Sequence, residues 1–216
     1  MSLSRGLSAP SPEALQEYRV NQAGQQEIVY APLYDTVTYA QAGQTSLTLF
    51  VNPVGQSSKT LADTNMTLAG QLPQPQSFLV TSVHVELLPP ALPGRAGTAA
   101  TAIATNINDI QEVMQSGWLE LTIGNKIYVQ EGPLGVFPPT YRLGGLAALA
   151  AAAEVADKFN IIDYGQVEGE YYEVLPFVIP HSQNFKVTLN WATAVGITAA
   201  TPIKVRLGGF LYRSVQ

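Results

Sequence analysis

The stretch Phe185-Lys186-Val187-Thr188-Leu189-Asn190-Trp191 puts an apolar side chain at every second position without a break. Only an extended chain turns alternate residues to one face, so this run predicts a strand buried on one side. The same period recurs elsewhere. Residues 45–51 alternate and stop at Asn52-Pro53. Residues 77–87 place Leu79, Val83, Val85 and Leu87 on one face and Ser82, His84 and Glu86 on the other. Ile203, Val205 and Leu207 alternate with Lys204 and Arg206, and Gly208-Gly209 then predicts a bulge. Residues 118–123 and 126–130 flank Gly124-Asn125, where glycine at the first central position predicts a type II′ hairpin turn. Weaker strand patterns cover 28–40 and 169–179.

Two stretches read as helical. Residues 91–116 begin loose and are expected to end in a short helix, with Asn108 as N-cap and Gln111 at capping-box spacing. Residues 143–159 are alanine-rich and carry the strongest helix propensity in the chain. No strand–helix–strand rhythm appears, which argues against a parallel sheet. The expected fold is all-β: an antiparallel two-sheet sandwich, a single eight-stranded jelly roll with one or two short helices in long loops. Residues 1–27 read as a flexible N-terminal arm and 28–216 as the jelly-roll domain, with excursions at 91–116 and 132–160. Leu47, Leu49, Val83, Val85, Leu121, Val187, Leu189 and Trp191 are expected between the sheets.

Composition narrows the function. The 216 residues contain no cysteine, which excludes disulfides, thiolate zinc sites and cysteine nucleophiles. Only 12% of residues are charged, and Pro (15) and Gly (18) are plentiful. Such a chain is turn-rich β or has a surface that neighbours cover. The net charge of −5 argues against a nucleic-acid groove, which needs a Lys/Arg surplus. The first twelve residues lack the apolar core of a signal peptide, and the apolar stretch 143–153 is too short to span a bilayer. The sequon Asn65-Met66-Thr67 matters only in a eukaryotic secretory setting.

Chemistry is sparse. Nucleophile-elbow, dinucleotide, Walker and H-E-x-x-H motifs are absent. The two histidines, His84 and His181, are too few for a three-histidine metal site. His84 and Glu86 could share a strand face with His181 as a third ligand, as in a metal-binding cupin. That family needs two histidines two residues apart on one strand, and this spacing is missing. The plainer reading of His84 and Glu86 is a strand's polar face. Asp163, Glu168 and Glu170 could pair as acid and base for glycoside hydrolysis, but solvated turn carboxylates explain them as well. The aromatics Trp118, Tyr128, Tyr141, Tyr164, Tyr171, Tyr172 and Trp191 invite a sugar-binding platform. Trp191 falls instead in the core register. No catalytic, cofactor-binding or metal-binding residue is assigned, no cofactor is expected, and the chain does not read as an enzyme.

Three stretches carry a resemblance: LADTNMTLAGQLPQPQSFLVTSVHVEL from Leu61, SGWLELTIGNKIYVQEGPLGVFPP from Ser116 and LPFVIPHSQNFKVTLNW from Leu175. With the ending VRLGGFLYRSVQ they cover about a third of the chain. Together they resemble jelly-roll major capsid proteins of tailless icosahedral bacteriophages, here in single-roll form. The resemblance implies a shell-forming structural subunit that self-assembles through loop and arm contacts, made in the host cytoplasm and located in the virion. The implied partners are copies of itself, minor capsid proteins and an internal membrane, without direct sequence-specific nucleic-acid binding. The alternative is a carbohydrate- or receptor-binding jelly roll of a phage spike or fibre.

Overall fold

A computed structural model describes residues 26–88, 100–139, 141–142, 146–150, 159–163, 167–168 and 172–214, and side chains within 27–88, 108–139 and 172–214. In chain order the elements begin with strands β1 (Gln26–Tyr30), β2 (Leu33–Tyr39), β3 (Ser46–Leu49) and β4 (Ser77–Leu87). Helix α1 (Ala100–Ser116) follows, then β5 (Gly117–Ile123), β6 (Lys126–Glu131) and a 3-10 turn at Leu134–Val136. The rest are β7 (Tyr141–Arg142), β8 (Leu146–Ala150), β9 (Phe159–Asp163), β10 (Val167–Glu168), β11 (Tyr172–Ile179), β12 (Phe185–Trp191) and β13 (Thr201–Ser214).

The strands build two antiparallel sheets. In the first, β13 is the spine: β2 and β1 pair one after the other along one edge, β4 pairs the other edge, and β11 pairs β4. The second has the order β3-β12-β5-β6. Two-stranded ribbons, β7 with β10 and β8 with β9, account for the remaining described strands. Among the described residues the two sheets hold nine strands, with Pro32, which cannot donate to a ladder, separating β1 from β2 in what reads as one run. Of the expected arm 1–27, only Gln26 and Glu27 lie within the described residues, and they open β1.

The alternation seen in sequence becomes burial. β5 and β12 bury every second residue, with Leu119, Leu121, Val187 and Leu189 fully enclosed. Leu49, Val83, Val85 and Trp191 are also buried, so seven of the eight expected core residues are in the core. Leu47 is only partly buried, since β3 is the edge strand of its sheet. Trp191 packs edge-on against Tyr39 with ring centroids 4.9 Å apart. Its indole N–H donates to the Val113 carbonyl at 3.0 Å, one of the last-turn carbonyls of α1 that has few partners of its own.

Three local expectations are corrected. Asn108 is not an N-cap: α1 begins at Ala100 and Asn108 lies inside it, because the Ala/Thr run upstream continues the helix. The stretch expected to be the best helix contains strand β8, paired with β9 from Leu146↔Asp163 to Ala150↔Phe159. Alanine propensity is a weak prior that pairing overrides, and a short run apolar on every side has no period to choose between helix and strand. Leu79 does not share a face with Val83. Gly208 pairs Ser82 and Gly209 pairs Val80, which leaves Thr81 as an extra residue on β4. That bulge flips the alternation, so Phe78 and Val80 turn inward before it and Val83, Val85 and Leu87 after it. The Gly208-Gly209 irregularity itself lies where the sequence places it. Gly209 has φ +155°, and a Cβ there would sit 1.8 Å from the Leu79 carbonyl oxygen, so no other residue fits.

Candidate functional site

The outer face of the first sheet gathers its polar chemistry. Across β2, β13 and β4 the register sets Thr36 beside Lys204 and Glu86, and Tyr34 beside Arg206 and His84. His84 is buried, its Nδ1 lies 3.0 Å from the Pro138 carbonyl oxygen and its Nε2 lies 3.1 Å from the Ser82 hydroxyl. Burial pushes the His84 imidazole below its ordinary pKa, and the Arg206 charge acts in the same direction. Burial pushes the Glu86 carboxyl up, partly offset by Lys204 and Arg206. Glu86 Oε1 and Thr36 Oγ1 are buried without a hydrogen-bond partner. The Lys204 ammonium lies over the Tyr34 ring, 5.2 Å from its centroid.

His181 does not join this cluster. It is exposed in the turn after β11, whose Ile179 pairs Phe78 at the start of β4. His84 lies six residues further along that strand, about 20 Å away at strand rise. Among the described residues no group of three or more His, Asp and Glu is placed to hold a metal ion. The carboxylates considered for glycoside hydrolysis are not joined in one element: Asp163 ends β9, Glu168 ends β10, and Glu170 lies outside the described residues.

The aromatics scatter as well. Trp191 is in the core, while Trp118 is half-buried on the opposite face of β5 and donates to Glu120 at 3.0 Å. Tyr128 and Tyr172 belong to a third place, the side of the sandwich where edge strands β6 and β11 meet. There the Tyr128 and Phe177 rings lie 5.1 Å apart, Tyr172 packs on Phe137 at 4.6 Å, and the Tyr172 hydroxyl donates to Glu131 at 3.2 Å. The Tyr141 side chain, Tyr164 and Tyr171 fall outside what is described.

The same two edge strands expose large apolar side chains. Leu175 is 90% exposed, Ile127 52%, Tyr128 47% and Val178 40%. The cause is local. The register of β11 slips between Glu173 and Phe177, so Val174-Leu175-Pro176 bulge away from β4 and push Leu175 outward. Pro176 is tolerated there because a bulged residue owes the ladder no N–H.

Asp35 escapes a reading by pattern. It points between the sheets, fully buried, with Oδ1 2.5 Å from Lys59 Nζ and Oδ2 accepting the Phe50 N–H at 2.6 Å. Phe50 itself holds φ +68°, an unfavourable backbone for a bulky residue. One carboxylate therefore ties the loop between β3 and β4 to β2. The near-even mix of polar and apolar residues in β2 carries no signal for it.

A depression of about 390 Å³ lies beside the β5–β6 turn, lined by Val51, Thr122, Asn184, Phe185 and Lys186 among others. Among the described residues its lining holds no carboxylate and no imidazole. No helix among the described residues is long and apolar enough to cross a membrane. No family model matches the chain, and no curated protein or solved structure matches it.

Proposed function

We propose that the chain is a shell-forming structural subunit built on a single jelly roll, of the kind its sequence resembles in tailless icosahedral bacteriophages. The observation that carries this reading is the pairing order. β2 pairs β13, β3 pairs β12, β4 pairs β11, and β5 pairs β6. The chain therefore behaves as one long hairpin, with Gly124-Asn125 at its tip. Rolling that hairpin so that successive pairs fall in alternate sheets produces the orders β2-β13-β4-β11 and β3-β12-β5-β6. These orders support the jelly-roll reading, with β1 as an added edge segment. The architecture serves capsids, lectins and cupins alike, so topology alone does not choose among them.

Two features favour the shell. The chain has few charges, and large apolar side chains stay exposed on the edge strands β6 and β11, as a subunit that packs among copies requires. At the tip of the hairpin Gly124 has φ +58° and Asn125 is not in the positive-φ region, the pattern of a II′ turn whose twist matches paired strands. In this reading the protein works by packing, in a virion, with copies of itself and with minor capsid proteins or an internal membrane as partners. Light scattering and electron micrographs of the purified protein test it. Particles far larger than a small oligomer are expected; a species that stays monomeric or trimeric at every concentration overturns the reading.

A further inference from the structure

Strand β6 is an edge strand, and its sequence Lys126-Ile127-Tyr128-Val129-Gln130-Glu131 begins with a cation and ends with an anion. Both termini are exposed, and neither residue belongs to the two ion pairs found among the described residues, Lys59–Asp35 and Arg213–Glu27. Their faces are set by β5: Lys126 pairs Ile123 and Glu131 pairs Leu119, two inward-facing residues. Five positions apart in a regular strand, the two would point to opposite faces. The bulge that leaves Tyr128 unpaired removes one step and brings them to the same face.

We propose that β6 is a homotypic docking edge, where two copies of the chain meet about a two-fold axis with their β6 strands antiparallel. Directly opposed residues of two antiparallel strands share a face. With the axis between Tyr128 and Val129, Lys126 of each copy meets the second copy's Glu131, and Ile127 meets its Gln130. One contact thus forms two ion pairs, an arrangement open only to an isologous interface. Between the charges lie the exposed Ile127 and Tyr128, the latter with its ring against Phe177 of the edge strand β11. The same charges and the bulge repel other strands, which blunts unlimited edge-to-edge addition. The inference deepens the shell-subunit reading by naming the contact, yet a two-fold pair can also exist without a shell.

Charge reversal separates the possibilities, because both positions are exposed; Glu131 also accepts the Tyr172 hydroxyl, so the melting temperature of each variant is read beside its assembly. Wild type, Lys126→Glu, Glu131→Lys and the double variant are compared by light scattering and analytical ultracentrifugation, with melting temperature as the folding control. Each single reversal sets like charges opposite one another twice and is expected to weaken self-association at least about tenfold. The double variant exchanges the two charges and is expected to restore it. A zero-length carbodiimide crosslink should join the Lys126 and Glu131 peptides of different copies in wild type. Equal assembly by all four proteins, or no recovery in the double variant, overturns the β6 contact while leaving a shell intact. A wild type that stops at a dimer, with the charge pattern as expected, supports the contact and defeats the shell reading. A strictly monomeric wild type overturns both.

Discussion

At the scale of single residues, the consequences of burial are measurable. Trp191 fills the space between Tyr39 and α1 and satisfies the Val113 carbonyl. Trp191→Ala is expected to cost about 3–5 kcal/mol in denaturant unfolding. A change within about 0.5 kcal/mol would place the side chain outside the core. Asp35→Ala strands a buried ammonium and the Phe50 N–H together. Its expected cost is likewise about 3–5 kcal/mol, from the charge left without a partner. Glu86 makes a pH-dependent prediction. Its folded pKa is raised, so the folded state holds a proton that the unfolded chain has released once pH exceeds the ordinary glutamate range. Stability from this residue is complete below that range and is lost as pH rises through the raised value. Glu86→Gln should therefore melt like wild type in acid and higher than wild type near neutrality. A melting difference that does not grow with pH would contradict this.

At the scale of elements, β4 shows how one residue redirects a strand. Thr81 is the extra residue opposite Gly208-Gly209, and it moves the buried register from Phe78 and Val80 to Val83, Val85 and Leu87. Gly209→Ala meets both a positive φ and the Leu79 carbonyl oxygen, so the ladder must shift. A loss well above the roughly 1 kcal/mol of an ordinary glycine substitution is expected, read from the unfolding midpoint. Only small effects would show that the bulge can slide. In β8 the competition went the other way. Five residues of Leu146–Ala150 pair with Phe159–Asp163 although their alanines favour a helix.

At the scale of the whole molecule, electrostatics bears on what a shell of the proposed kind needs. The chain carries −5, and residues 1–27 contain Arg5 and Arg19 against Glu13, Glu17 and Glu27. Phosphate binding without a cationic surplus gains little from counterion release. In the proposed shell, subunits are therefore expected to associate through contacts between protein surfaces, with no nucleic acid as scaffold. Purified, nuclease-treated protein should form particles with no nucleic acid added. Particles that form only with added DNA or RNA, and dissolve steeply as salt rises, would show that the charge balance was misjudged.

What the sequence by itself determined is what depends on neighbours along the chain. The one-sided burial of β5 and β12, the II′ turn at Gly124 and the irregularity at Gly208-Gly209 follow from period, turn chemistry and missing Cβ atoms, all local properties. The candidate site was legible only in part. His84 and Glu86 were visible as a strand's polar face, but their burial depends on groups such as the Pro138 carbonyl, 54 residues away. The separation of His181 from them, the pairing of Asp35 with Lys59, the strand in place of an alanine helix and the meeting of β6 with β11 were decided by tertiary structure alone. Each is set by which distant segment lies alongside, and no local pattern encodes that choice, because the free energy of pairing and burial belongs to both partners at once.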